Sequence, residues 1–373
     1  MMKYYIIAGE ASGDLHGANL LKALFKEEPN AEVRFWGGNL MQDVGGTLVK
    51  HYKDLAFMGF VEVAANLRTI FKNIDFCKKD ILAFNPDIII FIDYPGFNMR
   101  IAKWAKKKGF DTHYYISPQI WAWKEGRIKA IKQDVNHMYV ILPFEKDFYE
   151  KKHHFPVHYV GHPLLDEIDF FQKHKANNFR EVHQLDDRPI IALLPGSRTQ
   201  EIARLLNEML QIVDDYPQYQ FIIAGAPSLD YTFYKQFIKQ ENVKFISNDT
   251  YNLLNNAYAA LVTSGTATLE TALFKVPQVV VYKANNISYQ IAKRIIKLKY
   301  ISLVNLIMDE LIVTELIQND CNATQIKAEF EKVINNSSRS KILSKYDELE
   351  KKLGGGGASN RVINIIKKNL RTF

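Results

Sequence analysis

Short apolar runs bounded by turn residues alternate along this chain with stretches in which apolar positions recur at helical spacing. In the first half the runs are Lys3 to Ala8, Glu32 to Trp36, Ile88 to Ile92, Thr112 to Ile116, Met138 to Ile141 and Val157 to Val160. Helical patterns fall between most of them, notably Leu15 to Lys26 and Phe97 to Lys108. The series restarts with Pro189 to Leu194 and continues through Gln220 to Ala224, Val243 to Ile246, Ala259 to Val262 and Gln278 to Val281. Strands apolar on both faces and separated by helices predict parallel sheets covered on both sides, an α/β fold. Two such series predict two Rossmann-like domains, residues 1–165 and 166–345, with the C-terminal strand ends of both sheets facing a central cleft. The polar stretch from Leu165 to Asp187 reads as the linker. Gly354 to Gly357 breaks the chain before an amphipathic segment, Asn360 to Leu370. Residues 346–373 therefore read as a helical tail, which either docks elsewhere or ends the chain flexibly.

Composition narrows the class. The chain has 373 residues, 47% hydrophobic and 24% charged, as expected of a soluble globular protein of two domains. No apolar run approaches the roughly 20 residues of a membrane span. The N-terminus runs straight into a strand, which predicts no cleavable signal peptide and a cytoplasmic location. Cys77 and Cys321 are the only cysteines and lack any disulfide or zinc spacing. The net charge of +7 favours anionic partners. No nucleic-acid motif accompanies it, and Lys106-Lys107-Lys108 and Lys367-Lys368 fall near predicted helix ends, where cations complement the dipole. Nucleic acid is not expected as a partner.

Candidate chemistry concentrates in the loops after strands. Pro195-Gly196-Ser197-Arg198 follows an apolar strand and opens a helix, so free backbone N–H groups, a dipole and a guanidinium converge there, the arrangement that seats a phosphate. Ser264-Gly265-Thr266-Ala267-Thr268-Leu269-Glu270 repeats that logic, and the two loops together predict a nucleotide-diphosphate ligand. Glu270, one turn into its helix, reads either as a ribose ligand or as a surface carboxylate. In Gly9-Glu10-Ala11-Ser12-Gly13-Asp14 a carboxylate disfavours pyrophosphate, leaving a sugar-binding loop or a capped turn. Asp93 ends the most apolar strand ahead of Pro95-Gly96 and reads as a general base or as an N-cap. Ser117-Pro118-Gln119-Ile120-Trp121-Ala122-Trp123-Lys124 lines an acceptor pocket or packs in the core. There is no P-loop and no D-x-D pair to seat a metal ion, and tandem His153-His154 lacks metal-site spacing. From Phe60 onward Val63, Ala64, Leu67, Ile70, Phe71 and Ile74 recur at helical intervals, beside Arg68, Lys72 and Lys78. The stripe suits packing on a sheet or shallow insertion into lipid, and pattern alone favours the sheet.

The ordered set of motifs resembles the lipid A disaccharide synthases, glycosyltransferases of the GT-B fold. The likeness includes Ala8 to Asp14, Met58 to Val63, Ile92 to Asn98, Ser117 to Trp123, Leu142 to Glu145, Gly161-His162-Pro163, Leu194 to Arg198, Ser264 to Glu270 and Ser302-Leu303-Val304-Asn305. Val304 stands where some members have proline. The resemblance implies transfer of 2,3-diacylglucosamine from UDP-2,3-diacylglucosamine to the 6-hydroxyl of 2,3-diacylglucosamine 1-phosphate, without cofactor or metal. It implies Asp93 as base, with Glu10, Arg198 and Asn305 as further catalytic positions. Gly196, Ser197, Arg198, Ser264, Gly265, Thr266, Ala267, Thr268 and Glu270 would hold the UDP donor. Ser12, Gly13, Gln119 and Trp121 are candidate acceptor contacts. It also implies peripheral contact with the anionic cytoplasmic face of the inner membrane through Phe60, Val61, Val63, Leu67, Ile70 and Phe71. In some members the C-terminal segment exchanges between subunits, which would make a homodimer.

Overall fold

The computed structural model describes residues 1–55, 67–296 and 298–370. They form two compact units, Met1–Pro163 with Gly356–Phe373 and Leu164–Gly355. In the first unit, strands β1 (Lys3–Ala8), β2 (Glu32–Gly37), β3 (Thr47–His51), β4 (Ile88–Ile92), β5 (Asp111–Tyr115), β6 (His137–Val140) and β7 (His158–Tyr159) make one sheet of order β3-β2-β1-β4-β5-β6-β7, parallel throughout. Alternate residues bury on opposite faces: Tyr5, Ile7, Ile89 and Phe91 belong to one core, and Tyr4, Ile6, Ile88, Ile90 and Ile92 to the other. This is the period of two that makes doubly covered strands read as unbroken apolar runs.

The second unit repeats the plan with β8 (Ile190–Leu194), β9 (Gln220–Gly225), β10 (Val243–Ser247), β11 (Ala257–Thr263), β12 (Gln278–Tyr282) and β13 (Glu315–Ile317), in the order β10-β9-β8-β11-β12-β13, again all parallel. Each sheet has a point where the strand order reverses, between β1 and β4 in the first and between β8 and β11 in the second. Open α/β sheets bind ligands outside the carboxyl ends of the strands at such points.

Three expectations need correction. The stretch expected as a linker contains a helix, Leu164–His174, because Leu164, Leu165 and Ile168 bury one face of an otherwise polar segment. The tail does not begin at 346: Asn336–Leu353 is a single helix, and Tyr346, Leu349 and Leu353 are buried in the second unit, where Gln278 Nε2 donates to Tyr346 Oη at 3.3 Å. The helix Ala358–Leu370 packs instead on the first unit, with Val362, Ile363 and Ile366 buried beside Tyr4, Leu20 and Leu24 and Lys367 paired to Glu27 at 2.7 Å. Strands β3 and β13 were not expected; both lie at sheet edges, and β3 is only half-buried.

Candidate functional site

At the reversal point of the first sheet, the loops after β1 and β4 interlock. A Cβ added at Gly9 would overlap the Tyr94 ring, so glycine lets the two loops close on each other. Asp93 and Tyr94 both take left-handed backbone, with φ of 44° and 49°. Such residues cost about 1–3 kcal/mol each and persist only where the surroundings over-determine them. Here the buried Asn98 amide donates to the carbonyls of Ile7 (3.3 Å), Ile92 (3.3 Å) and Asp93 (2.7 Å), and Tyr114 Oη donates to Asp93 O at 2.6 Å. The clamp fixes the Asp93 backbone and leaves its carboxylate half-buried at the strand end. Burial, and then the charge of Glu10, push Asp93 up to about 6, against a backbone N–H of Tyr94 that favours the charged form.

Glu10 is exposed at the start of the helix Ala11–Glu27, so the structure brings Glu10 and Asp93 together. Ser12 is exposed, whereas Gly13 is buried with its Cα side against Ala8. Asp14 does not cap its own turn: its carboxylate accepts from the N–H groups of Gly38 (2.7 Å), Leu40 (3.1 Å) and Met41 (3.1 Å). His16, which the sequence did not single out, and His162 of the Gly161-His162-Pro163 motif are held neutral by burial, at about 4 and about 3.

The loop after β5 is also strained. Ile116 has φ 65°, an outlier for a β-branched residue. Buried Glu145 organises it by accepting from Ser117 Oγ (2.6 Å), Trp121 Nε1 (3.1 Å) and the N–H groups of Ile141 (3.1 Å) and Leu142 (2.9 Å). Trp121 is thus tied down through its indole N–H, while Gln119 is exposed. Trp123 is exposed too, with Lys124 Nζ 4.1 Å and the Arg127 guanidinium 5.7 Å from its ring centre.

Of the expected membrane residues, Phe60, Val61 and Val63 lie outside the described residues, as does the side chain of Leu67. Over Leu67–Phe84, Ile74, Cys77 and Ile81 are buried and Ile70 packs against them, while Phe71, Phe76 and Leu82 are exposed. The stripe is therefore split, with one side packed in the core and Phe71, Phe76 and Leu82 left at the surface. Among the described residues no helix is long and apolar enough to cross a membrane.

At the reversal point of the second sheet, a cavity of about 340 Å³ is lined by Gly196, Ser197, Ser264, Gly265, Thr266 and Glu270, among others. Gly196 and Gly265 have φ of 111° and 146°, so each turn needs glycine. Helices Thr199–Leu210 and Thr266–Leu273 start at these loops, and neither receives a hydrogen bond from its N-cap side chain. Their first N–H groups are left for an anion. Arg198 is exposed at the N-cap of the first of these helices. Ala267 also lines the cavity, and burial raises the pKa of Glu270, which accepts from Tyr251 Oη at 3.2 Å.

Thr268 and Asn305 stand behind this surface. Thr268 is buried; its hydroxyl donates to Gly265 O (2.8 Å) and accepts from Leu303 N (3.2 Å). Asn305 is fully buried, and its amide donates to Val313 O (2.8 Å) and Glu315 Oε1 (2.9 Å) while accepting from Ile312 N (2.8 Å) and Val313 N (3.0 Å). That uses the whole capacity of the amide. Glu315 also accepts from Ile301 N and Ser302 N, both at 2.9 Å, and Ser264 Oγ donates to Ile301 O at 2.8 Å. The side chains of Asn305 and Thr268 thus bond to protein partners that brace the second glycine loop. Sequence reasoning missed Glu201, which lines the cavity against Gly196 and accepts from Thr263 Oγ1 at 3.2 Å, and the Ala224–Pro227 wall after β9. The wall had a signal, a strand running into Gly225; Glu201 looked like an ordinary first-turn acid.

Comparison with known proteins points one way. The sequence model of the family described as lipid-A-disaccharide synthetase matches residues 4–366. The lipid-A-disaccharide synthase of Coxiella burnetii is 40% identical over 367 residues, covering 97% of this chain and 96% of its own. Among solved structures, the UDP-GlcNAc 2-epimerase from Neisseria meningitidis bound to UDP-GlcNAc has a TM-score of 0.68 at 13% identity, covering 98% of this chain and 100% of that one. CalG4, the calicheamicin glycosyltransferase, has a TM-score of 0.62 at 13% identity, covering 100% and 99%. These distant structures share the fold alone, the GT-B class of two Rossmann-like domains. The sequence matches go further, since they span nearly the whole length at high identity, and on them the chain belongs to the lipid-A-disaccharide synthase family.

Proposed function

We propose that the protein transfers 2,3-diacylglucosamine from UDP-2,3-diacylglucosamine to the 6-hydroxyl of 2,3-diacylglucosamine 1-phosphate by a single inverting displacement. The observation that carries this reading is the half-buried Asp93 at the β4 end, raised to about 6. At neutral pH it is mostly ionised yet more basic than an ordinary carboxylate, as a general base should be. It accepts the proton of the 6-hydroxyl while that oxygen forms its bond to the anomeric carbon. The bond from that carbon to the diphosphate oxygen breaks, and UDP leaves with the electron pair. Arg198 and the N–H groups at Ser197, Gly265 and Thr266 meet the charge that develops on it. The Glu270 carboxylate accepts from the ribose hydroxyls. Asn305 and Thr268 act by holding the Ser264–Thr266 turn. Ser12, Gly13, Gln119 and Trp121 border the acceptor sugar, and Lys124 and Arg127 beside Trp123 supply cations for its phosphate.

The same reading places the protein on the anionic cytoplasmic face of the inner membrane, with exposed Phe71 next to exposed Arg68 and Lys72 as part of the contact. A homodimer would form by exchange of the Ala358–Leu370 helix, each copy making the same contacts on its neighbour. The deciding experiment measures UDP released from UDP-2,3-diacylglucosamine in detergent, with and without the acceptor, for the native protein and Asp93→Asn. Asparagine tolerates the left-handed backbone, so the loop is kept. Acceptor-dependent release with formation of a disaccharide, lost in the variant, is expected. Release without acceptor, or full activity in the variant, would refute the assignment.

A further inference from the structure

At the opposite edge of the first sheet, where β5 and β6 begin, Asp111, His113 and His137 meet. Asp111 and His113 are two residues apart on β5 and so share a face. The parallel register sets His113 opposite His137 on β6. One ligand atom from each of the three falls within 4.8 Å of the others. His113 Nε2 is 3.0 Å from Asp111 Oδ2, and His137 Nε2 is 4.0 Å from Asp111 Oδ1. We propose that these three side chains form a binding site for one zinc ion, remote in the sheet from the strand ends that carry Asp93 and independent of the transfer reaction.

Zinc bonds of about 2.0–2.2 Å in a tetrahedron put neighbouring ligand atoms about 3.3 Å apart, a value that the two separations above bracket. The outer groups are also in place. Tyr139 Oη is 2.8 Å from His113 Nδ1, and Asn369 Nδ2 is 3.3 Å from His137 Nδ1. With both Nδ1 atoms engaged, both Nε2 atoms are turned to the shared space, which is how outer partners orient metal-binding imidazoles. A cavity of about 240 Å³ lined by Asp111 and His137 gives an entry path and room for water as the fourth ligand. Two imidazoles and one carboxylate suit zinc better than magnesium or calcium, which prefer oxygen. Lys106 lines the same cavity and opposes the ion, but it is exposed and free to swing away.

On binding, the proton that His113 Nε2 shares with Asp111 moves to Nδ1 or to solvent, and Asn369 turns its amide so that Oδ1 accepts from His137 Nδ1–H. Asn369 belongs to the helix Ala358–Leu370, so the ion would fasten that helix to β6 through its outer shell.

The test treats the full-length protein with EDTA, removes the chelator, and titrates zinc in competition with a chromophoric chelator, with thermal unfolding recorded with and without zinc. One ion per chain and a raised Tm are expected for the native protein, with both lost in His137→Gln and in Asp111→Asn. Asn369→Ala, which removes no ligand atom but takes away the outer partner of His137, should weaken binding about 10- to 100-fold. Equal zinc uptake by the native protein and both ligand variants would place the metal on other histidines and overturn the proposal, as would the absence of stoichiometric binding by the native protein. Circular dichroism of each metal-free variant reports whether the first unit, which carries all three substitutions, is folded.

Discussion

The loops after β1 and β4 bring two carboxylates, Glu10 and Asp93, to the edge of the first sheet, whereas the loops after β8 and β11 bring two glycine turns and two open helix N-termini to the edge of the second. The strand orders at the two places correspond, yet the chemistry is opposite. Both places also depart from ordinary backbone, in different ways. At the first reversal point the positive-φ residues are Asp93 and Tyr94, and at the second they are Gly196 and Gly265. On the proposed mechanism the difference follows from which atoms act. Where a side chain does the work, strain must be accepted and clamped, here by Asn98 and Tyr114. Where backbone N–H groups do the work, a side chain is dispensable and glycine removes the strain.

The largest expected effect lies on the side-chain half. Asp93→Asn should lower transfer by about 10²- to 10⁴-fold, the usual contribution of a general base, while UDP affinity stays unchanged by calorimetry. Loss of UDP binding in that variant would break the division of labour between the two reversal points. On the backbone half, Arg198→Ala should lower turnover by about 10²- to 10³-fold and weaken UDP binding with it. Lysine at 198 should restore little, because it lacks the bidentate fork that matches a diphosphate. A lysine variant with native turnover would reduce Arg198 to a diffuse charge.

Sequence pattern revealed most of the sheets because buried parallel strands are apolar on both faces. It failed where that condition lapses. Strand β3 carries Lys50 and His51 and is half-buried, and the helix Leu164–His174 is polar enough to pass for a linker. The glycine turns that open helices stood out as candidate anion seats because such turns leave backbone N–H groups unpaired. What a side chain in such a loop points at was not legible. Thr268 and Asn305 have the polarity of ligands, but their partners come from segments distant in sequence or from a turn that only the fold closes. The Asp111, His113 and His137 cluster was invisible for the same reason, since it depends on the pairing of β5 with β6.

Asn305 separates holding a loop from touching a ligand. Asn305→Ala would take away the Asn305 partner of Val313 O and of the Val313 N–H, at about 1–3 kcal/mol for each group that remains buried and unpaired. A clear drop in Tm is expected, accompanied by weaker UDP binding as the Ser264–Thr266 turn loosens. Arg198→Ala, at an exposed position, should leave Tm nearly unchanged. If Asn305→Ala were as stable as the native protein but inactive, Asn305 would belong among the ligand contacts after all.

The smallest effect is the most diagnostic of the acidic half. If Asp93 is the base, the rate should rise with pH through about 6 and level off above it. Burial is the larger cause of that raised value and Glu10 the second, so Glu10→Gln should move the midpoint down without returning it to the ordinary carboxylate range near 4. The rate should then change by several-fold near pH 5 and hardly at all near pH 8. Stability should move in step. Between about 4 and about 6 the native state holds a proton on Asp93 that the unfolded chain has released, so this contribution to stability is lost as pH rises through that window. Removing the Glu10 charge should shrink the loss. Burial raises Glu270 as well, and an acid limb could belong to it. A midpoint that moves in Glu10→Gln and stays in Glu270→Gln ties the limb to the first unit, whereas the reverse pattern would move the titrating group to the nucleotide seat and take the pH dependence away from the base.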